Sequence, residues 1–413
     1  MKNRWSDKDA EAFVRRYEAL GTMRDLALRV YSARLLGAEP ALVLHGGGNT
    51  SVKTQCRDVM GDLVDVLCVK GSGWDLATIE PEGHPAVRLA PLRHLRALDH
   101  LSDEDMVNAL RANLIDSRAP NPSVEALLHA YVKAKYIDHS HALPILALAD
   151  QAASEALCRK IFGTRLIWLP YVMPGFALAQ AVAKACEAHP EGEGLFLSKH
   201  GLFTFADTAR DSYERTIEFT TMAEDYIAAQ TRARHGAHLR TVTTVERPND
   251  AEPGKLIAQV APYLRAAFAR FSQDLPNPHW IFNVRDGAPE RAFASGLGAT
   301  DVAQRGVATP DHVIRMKGRP LVLPRPDARD LPGWARVVDE RLADFTRKYH
   351  AYFVRNNRRV GGIKRELDQL PRVAVIPGVG LACAGHSARE ASIAADLAQQ
   401  WMRVMTDAEA CGA

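Results

Sequence analysis

Six cysteines are scattered along the chain with no C-x-x-C pair, which argues against a thiolate zinc site and against a disulfide framework. No run approaches the roughly 20 apolar residues that a membrane span needs. The N-terminus, Met1-Lys-Asn-Arg-Trp-Ser-Asp-Lys-Asp, is polar where a signal peptide would turn apolar, so a cytoplasmic protein is expected. Charge of one sign is missing too. Lys plus Arg is 52 and Asp plus Glu is 49, and the resulting +3 gives no field for nucleic acid or an anionic membrane. A compact anionic metabolite remains compatible, because a local cluster of donors is enough to hold one.

What the chain does have is bulk and histidine. Its 413 residues, 47% hydrophobic and 24% charged, allow two or three packed domains. There are 15 histidines, the commonest metal ligand and the side chain that titrates near neutrality.

From Asp7 to about Gly37, Phe13, Leu20, Met23, Leu26, Ala27 and Val30 recur at helical spacing and predict one amphipathic helix. Short apolar segments broken by glycine follow and read as strands: Ala41-Leu-Val-Leu, then Val64-Asp-Val-Leu-Cys-Val. Pro122-Ser-Val-Glu opens a predicted helix through Ala134, Tyr136 to His141 a strand, and Ala152 to Phe162 a helix. Gly194 to Phe205 reads as a hairpin, with a helix from Thr208 to about Ala233. This non-alternating mixture predicts an α/β layered fold with a partly antiparallel sheet. The segment 232–250, basic and then polar, is the candidate boundary, giving a domain over 1–240 and an α/β extension over 251–413.

The extension is a candidate degenerate repeat. Sliding the chain by 179 positions sets the twelve residues from Gly201 on those from Gly380, with four identities, and sets Val379 where the first copy has His200. A lid that narrows substrate choice is the other reading of these residues. Arg315, Lys317 and Arg319 could reach a phosphate, against the plainer reading of a solvated face.

Three features carry chemistry. His139-Ser-His141 is an H-x-H on a predicted strand, where alternate side chains share a face and two imidazoles can chelate one cation. Two surface or core histidines explain the same pattern. Asp138 faces the other side and suits a supporting or structural duty. His200, at a strand-to-turn junction, could close a three-nitrogen site with room for substrate, or be a turn residue only. Glu125, just upstream, is a candidate general acid or base, or else a first-turn carboxylate favoured by the helix dipole. His129 shares its helix face and reads as an orienting partner or as packing.

Two glycine turns form the anion side. Gly46-Gly-Gly-Asn-Thr-Ser and Gly71-Ser-Gly follow predicted strands and offer rows of backbone N–H groups that suit phosphate or carboxylate. Neither turn matches a nucleotide fingerprint. Lys53 and Lys70 flank them as counter-charges or ordinary surface lysines.

Taken in order, Gly48-Asn-Thr-Ser, Gly71-Ser-Gly, Pro122-Ser-Val-Glu, His139-Ser-His141 and Lys199-His-Gly-Leu resemble the class II aldolase and adducin head family over residues 20 to 235. Leu44-His-Gly-Gly-Gly-Asn-Thr-Ser-Val-Lys, Lys70-Gly-Ser-Gly-Trp-Asp-Leu, Asp311-His-Val-Ile-Arg and Ile376-Pro-Gly-Val-Gly narrow the resemblance. They look like the aldolase portion of bifunctional rhamnulose-phosphate aldolase/lactaldehyde dehydrogenases, although no dehydrogenase domain is expected after Ala413.

The resemblance implies a three-layer α/β/α sandwich around a mainly antiparallel sheet, assembled as a homotetramer. It implies His139, His141 and His200 as ligands of one divalent metal, zinc first, with manganese, cobalt or nickel as alternatives. Glu125 becomes the acid/base, and Gly48, Asn49, Ser72, Gly73 and Ser123 the phosphate cradle. Many members carry a hydroxyl residue just before Ser123, where this chain has Pro122. The implied activity is retro-aldol cleavage of a rhamnulose-1-phosphate-like ketose phosphate, through an enediolate that the metal stabilises. A related hydroxy acid is the other substrate class. Epimerisation, dehydration or decarboxylation could use the same residues, and an adducin-like assembly module is the non-enzymatic alternative.

Overall fold

The computed structural model describes residues 1–234 and 253–412, so most of the candidate boundary 232–250 lies outside the described residues. The chain divides into two compact units, Met1–Ala229 and Gln230–Gly412.

The first unit opens with two helices where the apolar spacing predicts one. Ser6 caps Asp7–Glu18 by accepting from the Asp9 N–H, with acids in the first turn and arginines in the last. The chain then breaks at Gly21, whose φ of +87° is left-handed, and resumes as Arg24–Gly37. Seven strands follow: β1 (Asn49–Arg57), β2 (Leu63–Val69), β3 (Ala86–Arg88), β4 (Tyr136–Ser140), β5 (Leu166–Leu169), β6 (Gly194–Leu197) and β7 (Gly201–Ala206). They form one sheet in the order β3-β2-β1-β4-β7-β6-β5. Every neighbouring pair is antiparallel except β5 and β6.

Period-2 alternation sorts the strand side chains into two layers. Val52, Val66, Cys68 and Tyr136 pack with Val14, Tyr17, Leu26 and Val30 of the opening helices. Leu67, Val69, Ile137, Leu195, Leu197 and Phe203 pack with Leu127, Phe176 and Val182 on the opposite face. The unit is therefore a sheet covered by helices on both faces, as the sequence reading expects.

Two local expectations change. Ala41–Leu44 is not a strand; β1 begins only after the glycine turn, at Asn49. The helix expected from Pro122 shrinks to Ala126–Tyr131. The stretch before it is held as strand-like backbone, with Pro122 bridged to Gly71 and the Ser123 N–H donating to the Lys70 carbonyl at 3.0 Å.

The second unit holds β8 (Ile281–Arg285), β9 (Leu321–Val322), β10 (Val373–Ile376) and β11 (Gly380–Gly385), in the order β8-β11-β10-β9. Only β9 and β10 are parallel. This order and these directions match β4-β7-β6-β5 of the first unit. The β6–β7 hairpin and the β10–β11 hairpin begin and end 179 residues apart, and each is followed by a long helix, from Ala209 and from Ala388. The degenerate repeat is thus present as topology. Its sheet is also packed on both faces, Ala374, Ile376 and Ala382 on one side and Val373, Val375, Leu381 and Trp401 on the other. Arg315 and Arg319 are exposed, whereas Lys317 is buried. Its ammonium donates to the Asp368 carbonyl and sits 4.1 Å from the Tyr349 ring centre. No helix among the described residues is long and apolar enough to cross a membrane.

Candidate metal centre

The site is built on the middle of the seven-stranded sheet. β4 lies between β1 and β7, with His139 opposite Asn49 on one side and opposite Phe203 on the other. Gly48, at φ +61°, allows this approach, because a Cβ there would lie 2.6 Å from the His139 carbonyl oxygen. On the far face, Asp138 is buried and accepts from the Arg29 guanidinium and the Ser212 hydroxyl, each at 2.5 Å. Arg29 also donates to the carbonyls of Ser51 on β1 and Ile137 on β4, tying the two central strands together.

His139, His141 and His200 come together: one donor atom from each lies within 4.8 Å of the others. His139 Nε2 and His141 Nε2 are 3.0 Å apart. The His139 ring stacks on Phe203 with centres 3.9 Å apart, and its Nδ1 donates to the Leu202 carbonyl at 3.0 Å. That bond places the lone pair on Nε2, facing the other imidazoles, an arrangement common among metal-ligating histidines. Burial, then His141 and then His200, hold the His139 pKa well below its usual value, so the ring is neutral as a ligand must be. Three clustered imidazoles, one of them fixed through its far nitrogen, fit a divalent cation with positions left over for substrate.

Glu125 sits beside this trio. Its Oε1 is 3.3 Å from His200 Nε2 and its Oε2 is 3.6 Å from His139 Nε2. The carboxylate is only 7% exposed and stands at the N-cap of Ala126–Tyr131 without capping it through its side chain. Its oxygens thus face the imidazoles and Asn49 instead of the helix N–H groups.

Of the remaining candidates, Ser123 lies against Asn49. The Asn49 carboxamide donates to Glu125 Oε2 at 2.6 Å and to Ser123 Oγ at 3.3 Å. Ser123 Oγ also accepts from the Glu125 N–H. Ser72 is held by its N–H on the Asn121 carbonyl, and Gly73 follows at φ +86° with open space where a side chain would be. The two glycine turns are linked, since Lys70 Nζ donates to the Gly46 carbonyl at 2.6 Å. Lys53 is no surface lysine either. It donates to the Ala134 carbonyl at 2.7 Å, and burial pulls its pKa down to about 7.

Sequence reasoning missed Arg29 and Phe203, and it placed Ser51 only in the anion turn, not against His129. Ser51 had a signal, since it stands two residues from Asn49 on one strand and so shares its face. Arg29 had none, lying in a helix as one basic residue among many.

Residues 29–227 match the family description "Class II Aldolase and Adducin N-terminal domain", and residues 255–413 match "Aldolase class II, second domain". A Bacillus subtilis (strain 168) protein named "Uncharacterized oxidoreductase YuxG" is 32% identical over 384 residues, 93% of this chain and 54% of that protein. The chain thus spans about half the length of this curated relative. Among solved structures, an N-terminal class II aldolase domain from Thermoplasma acidophilum is 38% identical, covering 55% of this chain and 99% of that one, with a TM-score of 0.49. An L-fuculose-1-phosphate aldolase from Thermus thermophilus is 19% identical, covering 52% of this chain and 100% of that one, with a TM-score of 0.34. The chain is built of class II aldolase and adducin family domains.

Proposed function

We propose that this protein is a divalent-metal-dependent aldehyde-lyase that cleaves a ketose phosphate of the rhamnulose 1-phosphate type by retro-aldol chemistry. One observation carries the reading: a buried carboxylate, Glu125, has its two oxygens 3.3 and 3.6 Å from two of three clustered imidazoles. A divalent ion held by His139, His141 and His200 supplies Lewis-acid stabilisation of the negative charge that develops on substrate oxygens.

The chain's own residues do the rest. As the C3–C4 bond breaks, the C4 hydroxyl gives up its proton to the ionised Glu125 through water, C4 departs as the aldehyde and C3 keeps the electron pair. Glu125 delivers a proton to that carbon, and removes it in the aldol direction. Ser72, Gly73 and Ser123 hold the phosphate through hydroxyl and backbone donors, fixing C3 and C4 relative to Glu125. The protein works as a homotetramer in this reading, which sedimentation velocity would check.

The test is a panel of phosphorylated and unphosphorylated ketoses and hydroxy acids, assayed with metal content measured in parallel. Release of a free aldehyde supports the lyase. Carbon dioxide, a dehydrated product or an epimer assigns the same residues to another reaction. Glu125→Gln should abolish turnover with metal still bound, and unchanged turnover would remove Glu125 from its role. A chain that binds no zinc, manganese, cobalt or nickel would favour the assembly-module alternative.

A further inference from the structure

His129 is fully buried on the same short helix that begins next to Glu125, and its N–H donates to the Glu125 carbonyl at 3.2 Å. Its ring joins Ser51 to Asn49. Ser51 Oγ lies 2.8 Å from Nδ1, and Asn49 Oδ1 lies 2.5 Å from Nε2. Asn49 in turn donates from Nδ2 to Glu125 Oε2 at 2.6 Å.

The sense of this chain follows from what each group can do. An ionised carboxylate only accepts hydrogen bonds, so Asn49 must present its NH2 to Glu125. Its carbonyl oxygen then faces His129 and requires a donor. Nε2 therefore carries the ring proton, and Nδ1 accepts from the Ser51 hydroxyl. A single neutral ring proton serves this arrangement, and burial, followed by the charges of Lys53 and Arg29, keeps the ring neutral. Three hydrogen bonds thus run in series toward Oε2 and leave Oε1 directed at His200.

We propose that His129 is a positioning residue for Glu125, acting through the Asn49 carboxamide. The inference rests on Glu125 being the acid/base of the proposed reaction. Without the His129 donor, Asn49 Oδ1 loses the group that fixes it, and the carboxamide is held only through its NH2 on Glu125 Oε2 and Ser123 Oγ. The side chain then swings to find another donor for Oδ1, and Glu125 loses the contact that holds Oε2. The sequence family motif marks Asn49 as a phosphate contact; the relay gives it a second duty that a substrate does not have to be present to satisfy.

The experiment compares His129→Phe, which keeps a ring and removes the donor, with His129→Gln, which restores an N–H to Asn49. Both are made in the full chain loaded with zinc. Crystal structures of the two read the Asn49–Glu125 contact directly. Ketose phosphate cleavage reads kcat and KM separately. His129→Phe should break the contact and lower kcat about 100-fold, the loss that a misplacement near 1 Å can cause, with metal content unchanged. His129→Gln should recover the contact and most of the rate. A contact that survives in His129→Phe overturns the proposal. So does equal loss in both variants. If His129→Phe does not fold, Ser51→Ala removes only the donor to Nδ1, and its structure should show a longer Asn49–Glu125 contact; an unchanged contact overturns the relay. If the parent protein cleaves no ketose phosphate, the aldolase reading fails while the crystal structures still decide the relay.

Discussion

A Cβ on Gly201 would lie 2.6 Å from the carbonyl oxygen of Ser140, 3.2 Å from the His141 ring and 3.3 Å from the His139 ring. Gly201 opens β7 at φ +155°, directly after His200. The missing side chain is what lets the third imidazole reach the other two. Gly201→Ala should therefore lower stability by about 1–3 kcal/mol, from overpacking and an unfavourable φ, and weaken metal binding as well. Urea denaturation with zinc titration of the folded variant checks both effects, and unchanged zinc affinity would contradict the geometry.

Arg29 and Asp138 form an ion pair sealed from solvent on the face opposite the histidines. Removing one partner leaves a buried charge uncompensated, so Arg29→Met should cost about 3–5 kcal/mol. Arg29→Met with Asp138→Asn should cost clearly less than Arg29→Met alone. Equilibrium denaturation of the three proteins gives the comparison, and equal losses for the single and double variants would be the contrary result.

Zinc or cobalt should bind at one ion per chain and be withdrawn by a strong chelator, with binding restored by one equivalent. His141 is the least enclosed of the three imidazoles. His141→Ala should leave the fold intact and reduce affinity by more than about tenfold, since even supporting residues of metal sites cost 10–100-fold. Elemental analysis after dialysis and competition with a chromogenic chelator give stoichiometry and affinity.

Acid should destabilise the protein earlier than its carboxylates alone would. His84 is buried against Thr50, and burial, then Arg29 and Lys70, pull its pKa down to about 3. An unfolded histidine titrates near 6.5. Between about pH 6.5 and 3 the unfolded chain therefore holds a proton that the folded chain does not, and stability falls as pH drops through that window. His84→Gln should lower the slope of stability against pH there by up to about 1.4 kcal/mol per pH unit. Denaturation at pH 7.5, 6.5, 5.5 and 4.5 tests the difference; parallel slopes would exclude His84 as the source.

The sequence was most informative where local chemistry and spacing coincide. The strand carrying His139, the hairpin around His200 and Glu125 just upstream could be placed because turn residues and period-2 apolar patterns bracket them. The link from Asn49 to Glu125 could not, since it joins residues 76 apart through a sheet register no local pattern encodes. The same holds for Arg29 reaching Asp138 across 109 residues. The break at Gly21 and the short helix at Ala126–Tyr131 were misjudged for another reason: helical apolar spacing persisted through both, while a left-handed glycine and a β-bridge at Pro122 overrode it.

The repeated strand order bears on what could be engineered. Matching the hairpins sets Val284, Asp286 and Val379 of the second unit where the first has His139, His141 and His200. Grafting three histidines there would copy the donor set without its scaffold. β4 is fully buried and clamped by β1 and β7, whereas β8 is at best half-buried and pairs with β11 alone among the described residues. Ligands held to within about 0.5 Å need supported elements on both sides. A transplanted site in the second unit would thus also need a counterpart of β1, a strand bearing a glycine turn and an asparagine, laid along the outer side of β8.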